Sequence, residues 1–170
     1  MERIEFDEVD LRLLDQLQHD ASLTNLELAE RVHTSPPTCL RRVKRLREAG
    51  LIESQIAVLS ADKLAPVLGH GLCAIVEITL DRQGTEWLEA FERRVADEAS
   101  VQQCYRVSPG PDFVLVVHAL DMPDYLELVQ RLFTNDANVR NVKAFFSVKR
   151  SKFGARIPMA RKLRPAAGSG

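Results

Sequence analysis

Apolar positions repeat with a helical period at the start of the chain. Phe6, Val9, Leu13 and Leu17 are spaced by three and four residues, with Leu14 widening the stripe, which predicts an amphipathic helix over residues 6–20. Asp7 is placed to cap it, Asp10 falls in its first turn, and Asp20-Ala21-Ser22 ends it. A second, short helix follows Thr24. Glu27 stands three residues on, as in a capping box, and Leu26, Leu28, Ala29 and Val32 are apolar. After His33-Thr34, Ser35 reads as an N-cap and Pro36 as a first helical residue, where its missing N–H costs nothing. This third helix runs to about Ala49 and stops at Gly50, a natural C′ residue. Leu51-Ile52 and Ile56-Ala57-Val58-Leu59 are expected as short extended segments.

Beyond residue 70 the pattern changes. Cys73 to Leu80 is rich in β-formers. Thr85 to Ala99 is amphipathic, with Trp87, Leu88, Phe91 and Val95 on one side. Val101 to Val107 reads as a strand, Ser108-Pro109-Gly110-Pro111 as a turn, and Phe113 to Leu120 as an apolar strand. Asp121 to Phe133 reads as a helix and Val139 to Lys149 as a closing strand. The order β-α-β-β-α-β is the split βαβ arrangement of ferredoxin-like folds, with one four-stranded sheet and both helices on one face. The bare face needs a cover, and a second copy of the chain is the simplest one. The expected fold is therefore α+β. A winged helix-turn-helix domain (1–53) leads through an extended linker (54–70) to a ferredoxin-like sandwich (71–152). A basic, flexible tail (153–170) follows.

Composition narrows the function. A chain of 170 residues suits one ordinary domain or two small ones, and 45% hydrophobic with 28% charged residues is a soluble, foldable mixture. No apolar run reaches the ~18 residues of a membrane-spanning helix. Met1-Glu2-Arg3-Ile4-Glu5 lacks the apolar core of a secretory signal. Cys39, Cys73 and Cys104 are odd in number and far apart, which speaks against a disulfide framework or metal knuckle and for a reducing cytoplasm. The net charge of −1 hides a segregated distribution. Residues 1–60 carry 8 Lys and Arg against 11 Asp and Glu, residues 61–149 carry 9 against 13, and residues 150–170 carry 6 against none. From Arg31 to Arg47 every charged residue is basic. A local cationic face on a near-neutral protein suggests one anionic partner docking at one place.

That face is the third helix. At 100° per residue, Leu40, Val43 and Leu46 share one side, while Arg41 and Arg45 lie near the centre of the other with Thr38 beside them and Pro37, Arg42 and Lys44 flanking. Two short helices joined by a tight turn make a helix-turn-helix, whose second helix enters the major groove. Arg offers a planar fork matching guanine O6/N7 and phosphate alike, and Thr contacts a base edge or a thymine methyl. Thr38 and Arg41 are assigned to base reading with Pro37 close by. Arg42 and Arg45 serve either bases or phosphates, and Lys44 and Arg47 phosphates. Thr34 and Ser35 join the interface at the helix N-terminus, which favours a phosphate. A cationic helix face is by itself usually only solvated; the capped helix, tight turn and Ser-Pro before it and Gly-Leu-Ile after it give it meaning. No HExxH, P-loop, GxGxxG or Gly-x-Ser-x-Gly motif occurs, so neither catalytic nor metal-binding residues are assigned. His33, His70 and His118 are scattered turn, linker and strand residues, His19 is a helix C-terminal charge, and Cys104 is expected in the core.

The ordered set Asp10-x-x-Leu13-Leu14-x-x-Leu17, Thr24-Asn25-x-Glu27-Leu28-Ala29, Ser35-Pro36 and Arg42-Val43-x-Arg45-Leu46-x-x-x-Gly50-Leu51-Ile52, followed by a βαββαβ unit, resembles the Lrp/AsnC (feast/famine) family of bacterial and archaeal transcriptional regulators. The resemblance spans about Phe6 to Lys152. It implies dimers formed through the C-terminal sheets, octamers or other higher assemblies of those dimers, and a small effector, usually an amino acid, held between dimers. The matching effector residues are Val107, Ser108, Gly110, Asp112 and Phe113 at the turn between the second and third strands, with Met122, Phe145 and Ser147 facing them. Two positions depart from the family pattern. Pro109 stands where glycine is usual, and with Pro111 it removes two N–H donors from the turn. His33 stands where the helix-turn-helix turn tends to have glycine.

The expected function is thus a cytoplasmic, homo-oligomeric, non-enzymatic transcriptional regulator that binds double-stranded DNA, spans no membrane, has no cofactor, and responds to a small effector. Two other readings remain open at this point. One is a metabolite-binding oligomer whose N-terminal helices contact protein, and the other is an architectural DNA-binding protein with little sequence preference.

Overall fold

The computed structural model describes residues 6–68 and 71–159. The N-terminal pentapeptide, Gly69, His70 and the expected flexible tail from residue 160 onward lie outside the described residues. The chain forms two compact units: the part up to Ala57 together with the part from Lys152, and Val58–Ser151.

In the first unit three helices form where their caps require them. Helix α1 (Glu8–His19) starts at Asp7, whose carboxylate accepts from the Val9 and Asp10 N–H groups at 2.9 and 3.0 Å, while Asp10 accepts from the Asp7 N–H at 3.2 Å. Helix α2 (Asn25–Arg31) has the same reciprocal box between Thr24 and Glu27. Helix α3 (Pro36–Glu48) follows Ser35 without a side-chain cap; the Ser35 hydroxyl donates to Thr38 Oγ1 at 2.8 Å instead. Both α2 and α3 end in a residue of left-handed conformation, His33 (φ 56°) and Gly50 (φ 71°). At each, a 6→1 bond (Thr34 N–H to Ala29 C=O, Leu51 N–H to Leu46 C=O) and a 5→2 bond satisfy the last carbonyls, which is the Schellman arrangement. Near the other end of the chain, the Gln18 side-chain amide makes a double hydrogen bond with the backbone of Ile157.

The core of this unit is Leu13, Leu28, Ala29, Val32, Cys39, Val43 and Leu46. Two expectations need correction. Leu40 is 61% exposed, and Cys39 is fully buried in its stead. The inward row is Cys39, Val43, Leu46, and Leu40 lies 100° away from Cys39 around the axis. Leu26 is likewise exposed. Burial pushes the Cys39 thiol up, so it packs as a small hydrophobe. Residues 51–60 contain no strand, because among the described residues the sheet strands pair only with one another.

In the second unit the expected extended linker is partly helical: α4 (Ala61–Leu68) encloses Pro66. Then follow β1 (Leu72–Leu80), α5 (Thr85–Ala96), β2 (Val101–Arg106), β3 (Phe113–Ala119), α6 (Met122–Val129) and β4 (Val139–Phe146). The sheet order is β2-β3-β1-β4, antiparallel throughout. A π-helical turn, Gln130–Thr134, continues α6 and turns two consecutive side chains, Leu132 and Phe133, inward. Arg94 of α5 braces it, donating to the Leu132 C=O and pairing with Asp136.

Ala74, Val76, Ile78 and Leu80 of β1 alternate with outward residues, as do Phe113, Leu115, Val117 and Ala119 of β3. These inward rows meet Phe91 and Val95 of α5 and Tyr125 and Leu128 of α6, with the Phe91 and Phe113 rings stacked at 4.6 Å. Trp87 is only half-buried, its ring covered by the Arg82 guanidinium at 4.9 Å. Cys104, expected in the core, is exposed on edge strand β2. On the opposite sheet face, register puts Ile75, Val114, Val116, Tyr105 and Phe145 together. Among the described residues no helix packs on them, and Ile75, Tyr105 and Phe145 are exposed.

His33 occupies a conformation that costs a Cβ-bearing residue about 1–2 kcal/mol. Replacing it with glycine gives back part of that gain through a more flexible unfolded chain. His33→Gly should therefore raise stability by about 0.5–1 kcal/mol in chemical denaturation, and an unchanged or lower midpoint would refute the strain.

Candidate nucleic-acid interface and effector surface

The outward side of α3 begins at Pro37 and continues through Leu40, Arg41 and Lys44, all exposed. Among the described residues no carboxylate pairs with Arg41. Lys44 has only a loose contact with Glu48 at 3.7 Å, both groups well exposed, an arrangement worth little in water. Arg47 donates to the neutral Gln55 at 2.7 Å. Thr38 is half-buried and holds its hydroxyl against that of Ser35; Thr34 is half-buried and Ser35 exposed. The Asn25 side chain donates to the Pro36 C=O at 2.9 Å and so ties the start of α2 to the start of α3.

Arg42 and Arg45 have a different setting. Asp10 is 0% exposed. Its two carboxylate oxygens accept from Arg42 Nη1 at 2.9 Å and Arg45 Nη2 at 2.5 Å, and Asp7 takes Arg42 Nη1 at 2.7 Å. The Arg42 side chain is 20% exposed, and its Nε is buried without a hydrogen-bond partner. Arg42 is thus a strut between α1 and α3 rather than a free reader, because a buried carboxylate must be paired. Arg45 is 44% exposed and keeps part of its fork in solvent. Phe6, Asp7, Arg41, Arg42 and Arg45 line an open cleft of about 470 Å³ along this seam. Partial desolvation pushes the Asp7 carboxyl up, but the Asp10 N–H and the Arg42 guanidinium outweigh it and hold the group below the usual carboxylate range.

Sequence periodicity missed two features here. The exposed Leu40 was assigned to the core because three leucine and valine positions fitted the stripe better than a cysteine. The Asp10 pairing was missed because an acid in a first helical turn already has a local explanation as a cap.

The effector residues divide into two groups. Register puts the β2–β3 turn at the sheet end that holds Ile78 and Leu80, whereas Ala119 and Phe146 lie at the end that holds Leu72 and Ala74. Val107, Ser108, Gly110 and Asp112 therefore lie at the opposite end of the sheet from Met122 and Ser147, about 16–20 Å or five to six residues of strand away within one chain, while Phe145, paired with Ile75, lies midway, three residues of strand from Ile78. Gly110 has φ 127°, open to glycine alone. Asp112 Oδ2 accepts from the Leu80 N–H at 2.7 Å and from Gln83 at 3.3 Å, pinning the turn to β1. Phe113 is fully buried against Phe91, so it supports the turn from beneath and is not a lining residue. Met122, Phe145 and Ser147 are exposed.

Comparison with known proteins bears on both units. Residues 6–53 match the family model for winged helix-turn-helix DNA-binding domains, and residues 73–157 match that for the Lrp/AsnC ligand binding domain. The chain is 36% identical over 155 residues to the leucine-responsive regulatory protein of Rhizobium meliloti, covering 91% of this chain and 97% of that one. It is 31% identical over 153 residues to the leucine-responsive regulatory protein of Escherichia coli K12, covering 90% and 91%. Among solved structures it is similar to a transcriptional regulator in complex with L-Met from Neisseria meningitidis. The TM-score is 0.76 and the identity 30%, covering 91% of this chain and 97% of that one.

The two arginine settings predict opposite outcomes. Arg42→Ala leaves the buried Asp10 with one guanidinium instead of two and should destabilise the chain by about 2–3 kcal/mol, while Arg41→Ala should change stability by less than about 0.5 kcal/mol, both read by chemical denaturation. Because Asp7 is depressed in the folded state, its contribution is complete above the ordinary carboxylate range and is lost as pH falls through the lowered value. Asp7→Asn should flatten that acid limb in melts taken across the pH series.

Proposed function

The chain belongs to the Lrp/AsnC family of winged helix-turn-helix transcriptional regulators, non-enzymatic proteins that bind DNA and carry an amino-acid-binding domain, and on that premise we propose how its surfaces divide the work. Helix α3 enters the major groove with Pro37, Leu40, Arg41 and Lys44 facing the bases and phosphates. The observation that carries this is Arg41, exposed and unpaired among the described residues on the outward side of α3. Thr38 and the exposed part of Arg45 flank it, and Thr34 and Ser35 sit at the helix start, where a phosphate is favoured.

Two chains join through the bare sheet face, where Ile75, Tyr105, Val114, Val116 and Phe145 cluster beside the Glu77–Lys143 ion pair, since exposed apolar side chains favour a matching surface. A two-fold dimer carries two α3 helices to half-sites about 34 Å apart. Such dimers assemble further, to an octamer in the fullest form, acting in the cytoplasm.

The effector is an amino acid held between chains. The separation of the β2–β3 turn from Met122 and Ser147 supports this: one small ligand touches both groups only if different chains supply them. The exposed Met122 and Phe145 favour an apolar side chain, and the Asp112 already bound to Leu80 shapes the turn rather than meeting the ligand's ammonium. The L-Met complex of the Neisseria meningitidis regulator supports an apolar amino acid of that size.

Selection of duplexes from a random pool, followed by gel-shift titration at several salt concentrations, tests the DNA reading. Log K should fall with log salt by about 0.9 per phosphate contacted, and Arg41→Ala should lower affinity by about 10-fold and relax preference at one position. Binding without salt dependence would favour a protein-contacting module, and equal competition by random duplex an architectural role. For the effector, thermal melts with each of the twenty amino acids should show a rise with at least one apolar amino acid. No rise with any would refute an amino-acid effector.

A further inference from the structure

We propose that Asp10 is a positioning residue for duplex recognition: its buried carboxylate withdraws Arg42 from the duplex and turns Arg45 so that only the outward part of its fork meets it. The inference rests on α3 being the reading helix. Asp10 belongs to α1, yet both of its oxygens are committed to α3, Oδ1 to Arg42 and Oδ2 to Arg45, and Oδ2 also accepts the Asp7 N–H. No free oxygen remains and the group is fully buried, so it cannot turn without breaking one of these bonds. An unrestrained arginine must be ordered when it binds, at a cost in rotamer freedom. Arg45, held through Nη2, has met that cost before the duplex arrives. Asp10 also removes charge. With Asp7 it balances Arg42 and Arg45, so that among the described residues Arg41 and Arg47 are the cations of α3 with no carboxylate partner, Arg47 being held by the neutral Gln55, and Lys44 has a loose one. Phosphate attraction, which any sequence supplies, is thereby reduced relative to oriented contacts, which only the right sequence rewards.

The test uses the full chain, a duplex selected by the wild type from a random pool, and a random duplex, each titrated across salt. In Asp10→Asn the released guanidiniums should tighten random-duplex binding and steepen its salt slope by about 1 per freed cation, while the selected-to-random affinity ratio falls about 10-fold. A purely structural role would move the melting temperature but neither the slope nor the ratio; a folded Asp10→Asn with both unchanged overturns the proposal. Should that variant melt below the assay temperature, Arg45→Lys decides, since it keeps the charge and loses the fork. A lower ratio at an unchanged slope supports the proposal, and an unchanged ratio overturns it. If the wild type itself binds no duplex, the reading beneath the proposal fails and the proposal with it. If the wild type binds selectively and the variants match it, only the proposal fails.

Discussion

A carboxylate taken entirely out of water has to be answered by positive charge, and in the N-terminal unit that requirement joins two helices. Asp10 on α1 meets two guanidiniums of α3, and Asp7, the cap of α1, meets one of them again. The apolar contacts of Leu13, Val43 and Leu46 hold the helices together but leave them free to slide by small amounts, because hydrophobic attraction has no direction. The ion pairs do have direction. They fix how far α3 is rotated about its own axis, and through that rotation which side chains point outward. The charge on the outward side of α3 is thus set in part by one buried acid.

The C-terminal unit works by a contrast between the two faces of a sheet. One face is closed by α5 and α6 over stacked phenylalanines, with the π-helical turn after α6 sending both Leu132 and Phe133 into the same core. The other carries Ile75, Tyr105 and Phe145 in the open. The turn of Gly110 and Asp112 is stiffened by hydrogen bonds to β1, so it is held in place before anything meets it.

Much of this architecture was legible in the sequence where local chemistry decides it. Asp7 and Thr24 act as caps because a short polar side chain before an apolar run has few other uses, and the β-rich runs alternating with amphipathic stretches after residue 70 revealed the split βαβ order. The mistakes occurred where packing or long-range pairing decides. Leu40 scored as core by hydropathy, but Cys39 is the residue whose direction points at α1 and α2. The family resemblance implies a ligand contact for Phe113, but strand alternation buries it. Helix α4 was hidden by Pro66, whose usual meaning is a break. Arg42 looked like one more surface cation until its partners, 32 and 35 residues away, were known.

The turn between α2 and α3 is set by backbone geometry, a left-handed residue at His33 and two amide-to-carbonyl bonds, with the Asn25 side chain bonded across it to Pro36. None of the outward residues of α3 takes part in that geometry, and none contributes to the core. Pro37, Arg41 and Lys44 are therefore open to replacement over successive generations with little effect on folding, so the chemistry this helix exposes is free to drift while the scaffold that presents it stays the same.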